Sequence, residues 1–217
     1  MNRREFSAQL LGAGAFASLG ATLSGTAQAQ QGQFVDGKHY ATLSQPLSVP
    51  KGKIDVVEFF SYACPHCNEF EPALEEWEKK VPADVNFHRI PVHFLMNHEN
   101  FQRLYFALES MGQVGKMQAK VFHAVHVEDQ HLDKPADIQA FVAKNGIDGT
   151  KFMEVFNSFA VQLKTRQAKQ WVESYKIDGV PALGVQGRFR TSGGMAGSNE
   201  RMLAVVDALI QRVRSGA

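Results

Sequence analysis

Cys64 and Cys67 are the only cysteines in the 217-residue chain, and they stand three positions apart in the stretch Phe59-Phe60-Ser61-Tyr62-Ala63-Cys64-Pro65-His66-Cys67-Asn68-Glu69-Phe70. A bond between them closes a ring of four residues, which in the chain-entropy picture gains only about 2 kcal/mol, against nearly 5 for a hundred-residue loop. So short a staple does little for stability, and chemistry is the better reason for the pair. The chemistry is thiol–disulfide exchange, in which a thiolate attacks a sulfur and a neighbouring thiol resolves the product. A cysteine's pKa falls at a helix N-terminus and beside a cationic or hydrogen-bonding partner. Cys64 has both: the chain from Pro65 onward reads as helix, and His66, inside the ring, can bring a protonated imidazole near the sulfur. A stabilised thiolate makes the disulfide easier to reduce, and so a stronger oxidant.

Glu58 lies six positions before Cys64 in an otherwise apolar run. The residues alone leave two explanations open. It is either an edge-strand carboxylate facing water, the ordinary home of acidic side chains, or a buried acceptor for the Cys67 proton. Metal chemistry has little support. A structural zinc usually needs four ligands and no second cysteine pair exists, while a c-type haem needs His directly after the second cysteine, where Asn68 stands. His88, His93 and His98 recur every five residues and keep no common strand face. His123, His126 and His131 are expected on a helix surface. No metal and no cofactor is expected.

Several elements must position the pair. Lys53 to Phe60 is β-branched and aromatic and reads as a buried strand delivering Cys64. Phe70, Leu74 and Trp77 then recur at helical spacing, with Pro72 expected to kink the helix. Val85 to Phe94 reads as a second strand, with Pro91 favouring an edge or bulge. Helical stripes follow: Phe101, Leu104, Tyr105, Leu108 and Met111, then Val114, Met117, Val121 and Val125. Further helices are expected from Asp133-Pro135 to Gly146, from Thr150 through Phe159 and Leu163, and through Trp171 and Tyr175. After Gly179-Val180-Pro181, a hairpin is expected from Ala182–Val185 and Arg188–Thr191, closed by a helix over Asn199–Val213. Strand, helix, strand, helices only, hairpin, helix describes an α/β sheet interrupted by an all-helical insertion. The sheet halves are placed at 30–95 and 170–217 and the insertion at 96–169.

Residues 1–29 read differently. Paired Arg3-Arg4 before Phe6, a mildly apolar stretch rich in Ala and Gly, and Ala27-Gln28-Ala29 make a removable export signal of twin-arginine or secretory type. An uncleaved anchor is disfavoured because Gln9, Ser18, Thr22 and Ser24 interrupt the apolar run. With 23 basic and 22 acidic side chains the net charge is +1, so no nucleic-acid partner is expected.

The run from Glu58 to Cys67 with Phe70 beyond it, the proline at 72 and the Gly179-Val180-Pro181 loop together resemble the DsbA family of periplasmic thiol:disulfide oxidoreductases, within the thioredoxin superfamily. The resemblance extends over nearly the whole chain after residue 29. It implies a thioredoxin fold with an inserted helical domain. It implies that Cys64, followed by Pro65 and His66, is the exposed nucleophile, Cys67 the buried resolving thiol and Glu58 the proton shuttle. Val180-Pro181 is then cis, packed on the disulfide and part of the substrate groove. The resemblance also implies reduced, unfolded exported proteins as substrates and reoxidation by a DsbB-like, quinone-linked membrane partner. No dimerisation segment is seen before Phe34, so a monomer is expected. The alternatives are a disulfide reductase or isomerase on the same motif, and a chaperone-like peptide binder.

Overall fold

Of the seven residues of β2 (Ile54–Phe60), the last six have almost no exposure, and everything near the cysteines is built around this strand. The computed structural model describes residues 34–216, so the signal expected at 1–29 lies outside the described residues. β2 pairs in parallel with β3 (Val85–Pro91) and antiparallel with β4 (Ala182–Val185). β5 (Phe189–Ser192) and the two-residue β1 (Ala41–Thr42) complete a five-stranded sheet in the order β1-β5-β4-β2-β3. An interior strand buried on both faces is mostly apolar, which accounts for the composition of β2 and makes its two buried carboxylates, Asp55 and Glu58, conspicuous. β3 is one of the two edge strands, and its last residue is Pro91, where a missing backbone donor is tolerated. It ends three residues short of Phe94, the limit expected from the alternation of side chains.

The strand period of two sends neighbouring side chains to opposite cores. Val56 packs with Phe70, Leu74, Leu183, Val206 and Leu209, beneath α1 (Pro65–Glu78) and α8 (Asn199–Arg214). Val57 and Phe59 join Leu104, Val121, Phe122, Val172 and Tyr175 in the larger core on the other face. That face is covered by helices lying between β3 and β4 in the chain: α2 (His98–Ser110), α3 (Val114–His126), α4 (Pro135–Lys144), α5 (Gly149–Phe156) and α6 (Phe159–Ser174). α6 runs across positions 169 and 170. A single turn, α7 (Gly193–Ala196), precedes α8.

Two local outcomes differ from the sequence reading. The helix expected to carry Thr150 through Leu163 is broken after Phe156. Ser158 takes an extended backbone and its hydroxyl accepts from the Val161 N–H, starting α6 afresh. Phe159 and Leu163, placed in that apolar stripe, are 70% and 41% exposed. The hairpin strand begins at Phe189 rather than Arg188, with Gln186 and Gly187 both at positive φ, 54° and 61°, as a two-residue turn requires. A Cβ at Gly187 would come within 2.6 Å of the Leu47 carbonyl, so only glycine fits.

Candidate active site

The end of β2 and the start of α1 are joined by Ser61, Tyr62 and Ala63, and the joint is tightly fixed. The Cys64 N–H donates to the Ser61 carbonyl at 3.1 Å and the Ala63 N–H to Ser61 Oγ at 3.1 Å. Tyr62 is fully buried, its hydroxyl donating to Gln118 Oε1 at 2.6 Å and its ring set edge-on against Phe60, Phe101 and Phe122. The Tyr62 carbonyl accepts from His126 Nε2 at 2.8 Å. His126 is therefore half-buried against the active-site loop, not on the open helix surface expected for it.

Cys64 is the N-cap of α1, with extended backbone angles, and the exposed Pro65 takes the first helical position, where its missing N–H costs nothing. α1 continues through Pro72 without a break in its helical assignment. Both cysteines are free thiols, Cys64 7% exposed and Cys67 fully buried. Cys64 is pulled down from 9.0 to about 6, most strongly by a hydrogen bond from the Cys67 thiol, with burial opposing. The backbone N–H groups of Cys67 and His66 help further, and the His66 charge contributes least. Cys67 is held well above the usual thiol range, first by burial, then by its bond to Cys64 and then by the charge of Glu58. The two sulfurs are thus strongly unequal acids.

Val180-Pro181 is a cis peptide, and the Val180 carbonyl lies 3.4 Å from Cys64 Sγ. The same loop, with His66, Ser192, Gly193, Gly194 and Asn199, lines a shallow cavity of about 340 Å³. Cys64, Val180 and Pro181 therefore meet at one surface. His66 turns elsewhere: its ring is 69% exposed and Nδ1 lies 3.0 Å from Glu69 Oε2, not on the sulfur.

A family model described as the DSBA-like thioredoxin domain matches residues 55–209. The chain belongs to this family. It is 40% identical over 198 residues to the thiol:disulfide interchange protein DsbA of Pseudomonas aeruginosa, covering 91% of this chain and 93% of that one. It is 37% identical over 193 residues to the DsbA of Burkholderia cepacia, covering 88% and 91%. The crystal structure of Pseudomonas aeruginosa DsbA superposes with a TM-score of 0.82 at 39% identity, over 85% of this chain and 97% of the other. The oxidoreductase DsbA of Xylella fastidiosa follows at 0.78 and 28% identity, over 84% and 98%. The fold is the DsbA-like thioredoxin fold, and the chain is a thiol:disulfide oxidoreductase of that family.

Beneath the cysteines of this DsbA-like domain lies a buried charge cluster that the sequence reading found only in part. Glu58 is 1% exposed on an interior strand, in register with Arg89 of β3 and Leu183 of β4, which removes the edge-strand explanation. Arg89 Nη1 donates to both oxygens of Glu71 at 2.7 Å and Nη2 to Glu78 at 3.3 Å. It approaches Glu58 at 3.4 Å without making a hydrogen bond, and neither Glu58 oxygen has a partner. One guanidinium thus faces three carboxylates. Keeping both buried ones ionised would be costly, and the one without hydrogen bonds takes the proton. Glu58 is pushed up to about 8 by burial, with Arg89 opposing and Glu71, Glu78 and the Cys64 charge adding to the rise. Glu71 and Arg89 were missed. The available signals were a charge at the apolar phase of β3, two residues after Phe87 and four after Val85, and a glutamate on the same helical face as Cys67, Phe70 and Leu74.

Proposed function

We propose that the chain is an exported disulfide oxidase that donates the Cys64-Cys67 disulfide to reduced, unfolded proteins. The observation that carries this reading is the inequality of the two sulfurs: Cys64 is a good leaving thiolate and Cys67 is not. The client thiolate attacks Cys64, and the breaking S–S bond leaves its electron pair on Cys67, which must take a proton as it leaves. Glu58, protonated at neutral pH, is the donor assigned to it. A second client thiolate then attacks the client sulfur of the mixed disulfide and expels Cys64 as the stabilised anion. The client loses two electrons and becomes a disulfide. The enzyme gains them as one thiolate and one thiol, and the second client proton passes to solvent.

Pro65 starts α1 at the position that leaves the backbone donors of His66 and Cys67 pointing at the sulfur, and the Val180-Pro181 loop supports the client beside Cys64. Return of Glu58 to its protonated state resets the site. Reoxidation is assigned to a DsbB-like, quinone-linked membrane protein, and the working enzyme to a monomer in the periplasm after removal of residues 1–29. Among the described residues no helix is long and apolar enough to cross a membrane. The working unit is a thioredoxin-like part, 30–95 with 170–217, carrying the helical insertion 96–169.

Cys64→Ala tests the assignment. It should abolish both insulin reduction and client oxidation, and retained activity would remove Cys64 as the nucleophile.

A further inference from the structure

Glu69 has no part in the exchange described above, yet it is the partner His66 has chosen. The two residues are one helical turn apart on α1, Nδ1 of His66 lies 3.0 Å from Oε2 of Glu69, and both side chains stand mostly in solvent, 69% and 65% exposed. The ring that could have faced the sulfur is turned toward a carboxylate. Accordingly the His66 backbone N–H does more for the Cys64 thiolate than the His66 charge does.

We infer that Glu69 is a positioning residue that restrains His66, so that the imidazolium reaches Cys64 with its charge largely cancelled and the disulfide is less oxidising than its motif alone would make it. This rests on the reading of Cys64 as the nucleophile.

The charge balance fixes a pH signature. Glu69 raises the His66 pKa, so the pair is complete below the ordinary imidazole range and is lost only as pH rises through the raised value. Below the ordinary range, near pH 6.5, His66 is charged with or without its partner. Removing Glu69 there leaves an unpaired imidazolium beside the thiolate, and the anion gains. Between the ordinary and the raised value the native protein keeps a neutralised ion pair and the variant a neutral ring, so neither offers net charge to the sulfur. The remaining groups around His66 in the cavity, Gly179, Val180, Pro181, Ser192, Gly193, Gly194 and Asn199, are uncharged. Among the described residues, Cys64 and Glu69 are the charged groups that act on it.

The test is a four-protein cycle: native, Glu69→Gln, His66→Ala and the double variant, each titrated by thiolate absorbance and equilibrated with glutathione at about pH 5.5 and at about pH 7, just above the ordinary imidazole value. Glu69→Gln should favour the thiolate about two- to threefold at the lower pH, the scale of an exposed ion pair, and move the potential to a more oxidising value. The gap should narrow at the higher pH, where the variant's ring has begun to lose its charge, and be absent in the His66→Ala background. A Glu69→Gln protein equal to native at about pH 5.5 overturns the inference, as does an equal shift with His66 absent, because Glu69 would then act on the sulfur directly. Matching thermal midpoints establish that the variants are folded. If the native protein shows no low-titrating thiolate, the reading of Cys64 fails instead, and the two failures are told apart.

Discussion

Replacing Glu58 by glutamine should make the protein more stable at neutral pH, although Glu58 stands at the centre of the site. Its carboxyl is pushed from 4.5 to about 8 in the folded protein, so between those values the native state holds a proton that the unfolded chain has released. Stability therefore falls as pH rises through this window. At 1.36 kcal/mol per unit, the penalty reaches about 3 kcal/mol at pH 7 and about 4 at pH 8. Glutamine keeps the shape and removes the titration. Arg89 is not orphaned, since its hydrogen bonds run to Glu71 and Glu78. The assay is urea unfolding of native and Glu58→Gln proteins in the oxidised form, at several pH values from 4.5 to 8, so that Cys64 does not titrate. Oxidation also removes the Cys64 charge, which is the smallest contribution to the Glu58 shift. The stability difference should be near zero at pH 4.5 and grow toward about 3 kcal/mol in favour of glutamine at pH 7. A difference that does not change with pH would refute the reasoning, because Glu58 would then titrate alike in the folded and unfolded chains.

Other consequences can be checked with standard assays. Cys67→Ala should trap clients on Cys64 as mixed disulfides visible on non-reducing gels; an absence of trapped species argues against the resolving role. The same substitution removes the strongest hydrogen bond to the Cys64 thiolate, so its titration midpoint should move upward by about one to two units, the size of a hydrogen bond to a charged group, and an unmoved midpoint would assign the stabilisation to the helix N–H groups. Arg89→Met should lower unfolding stability by about 3 to 5 kcal/mol, since it strands Glu71 beside a second buried carboxylate; a loss under 1 kcal/mol would mean the cluster is not ionised as described. His126→Ala should cost about 1 to 3 kcal/mol by leaving the Tyr62 carbonyl without its donor and should slow reactions of Cys64, with His126→Gln restoring much of both. Equal defects in the two variants would place the effect in the packing of His126 on Phe122.

The elements that carry the site were legible because their signals are local. The apolar run of β2, the Pro65 start of α1, the Gln186-Gly187 turn and the stripes of α2 and α3 each lie within a dozen residues. The neighbours of β2 were not legible, since strand order follows from long-range packing, and Glu58 could be read as edge or core until β3 and β4 were seen on either side of it. The Arg89–Glu71 pair joins residues 18 apart on different elements, and no spacing rule brings them together. His66 was read toward the sulfur although Glu69 stood at helical spacing in the same motif, because spacing alone does not say whether an imidazole turns to the sulfur or to a carboxylate one turn on. The break between α5 and α6 had a local sign, Ser158, which the run of phenylalanines around it concealed. The two-residue β1 carries no periodicity at all. His126 looked like a surface residue because helical position says nothing about which loop will lie over it.

The most direct measurement is the reduction potential of the Cys64-Cys67 pair, obtained by equilibrating the protein with glutathione buffers at pH 7 and counting free thiols by alkylation. At pH 7 only the part of the shift lying below the measuring pH counts, so lowering one thiol from 9.0 to about 6 favours the reduced form about tenfold, or about 30 mV. The account predicts a potential more oxidising than about −180 mV, the scale of disulfide-donating rather than reducing members of the superfamily, at which the protein gives its disulfide away. A value near −270 mV, the range of a thioredoxin-like reductase, would contradict it.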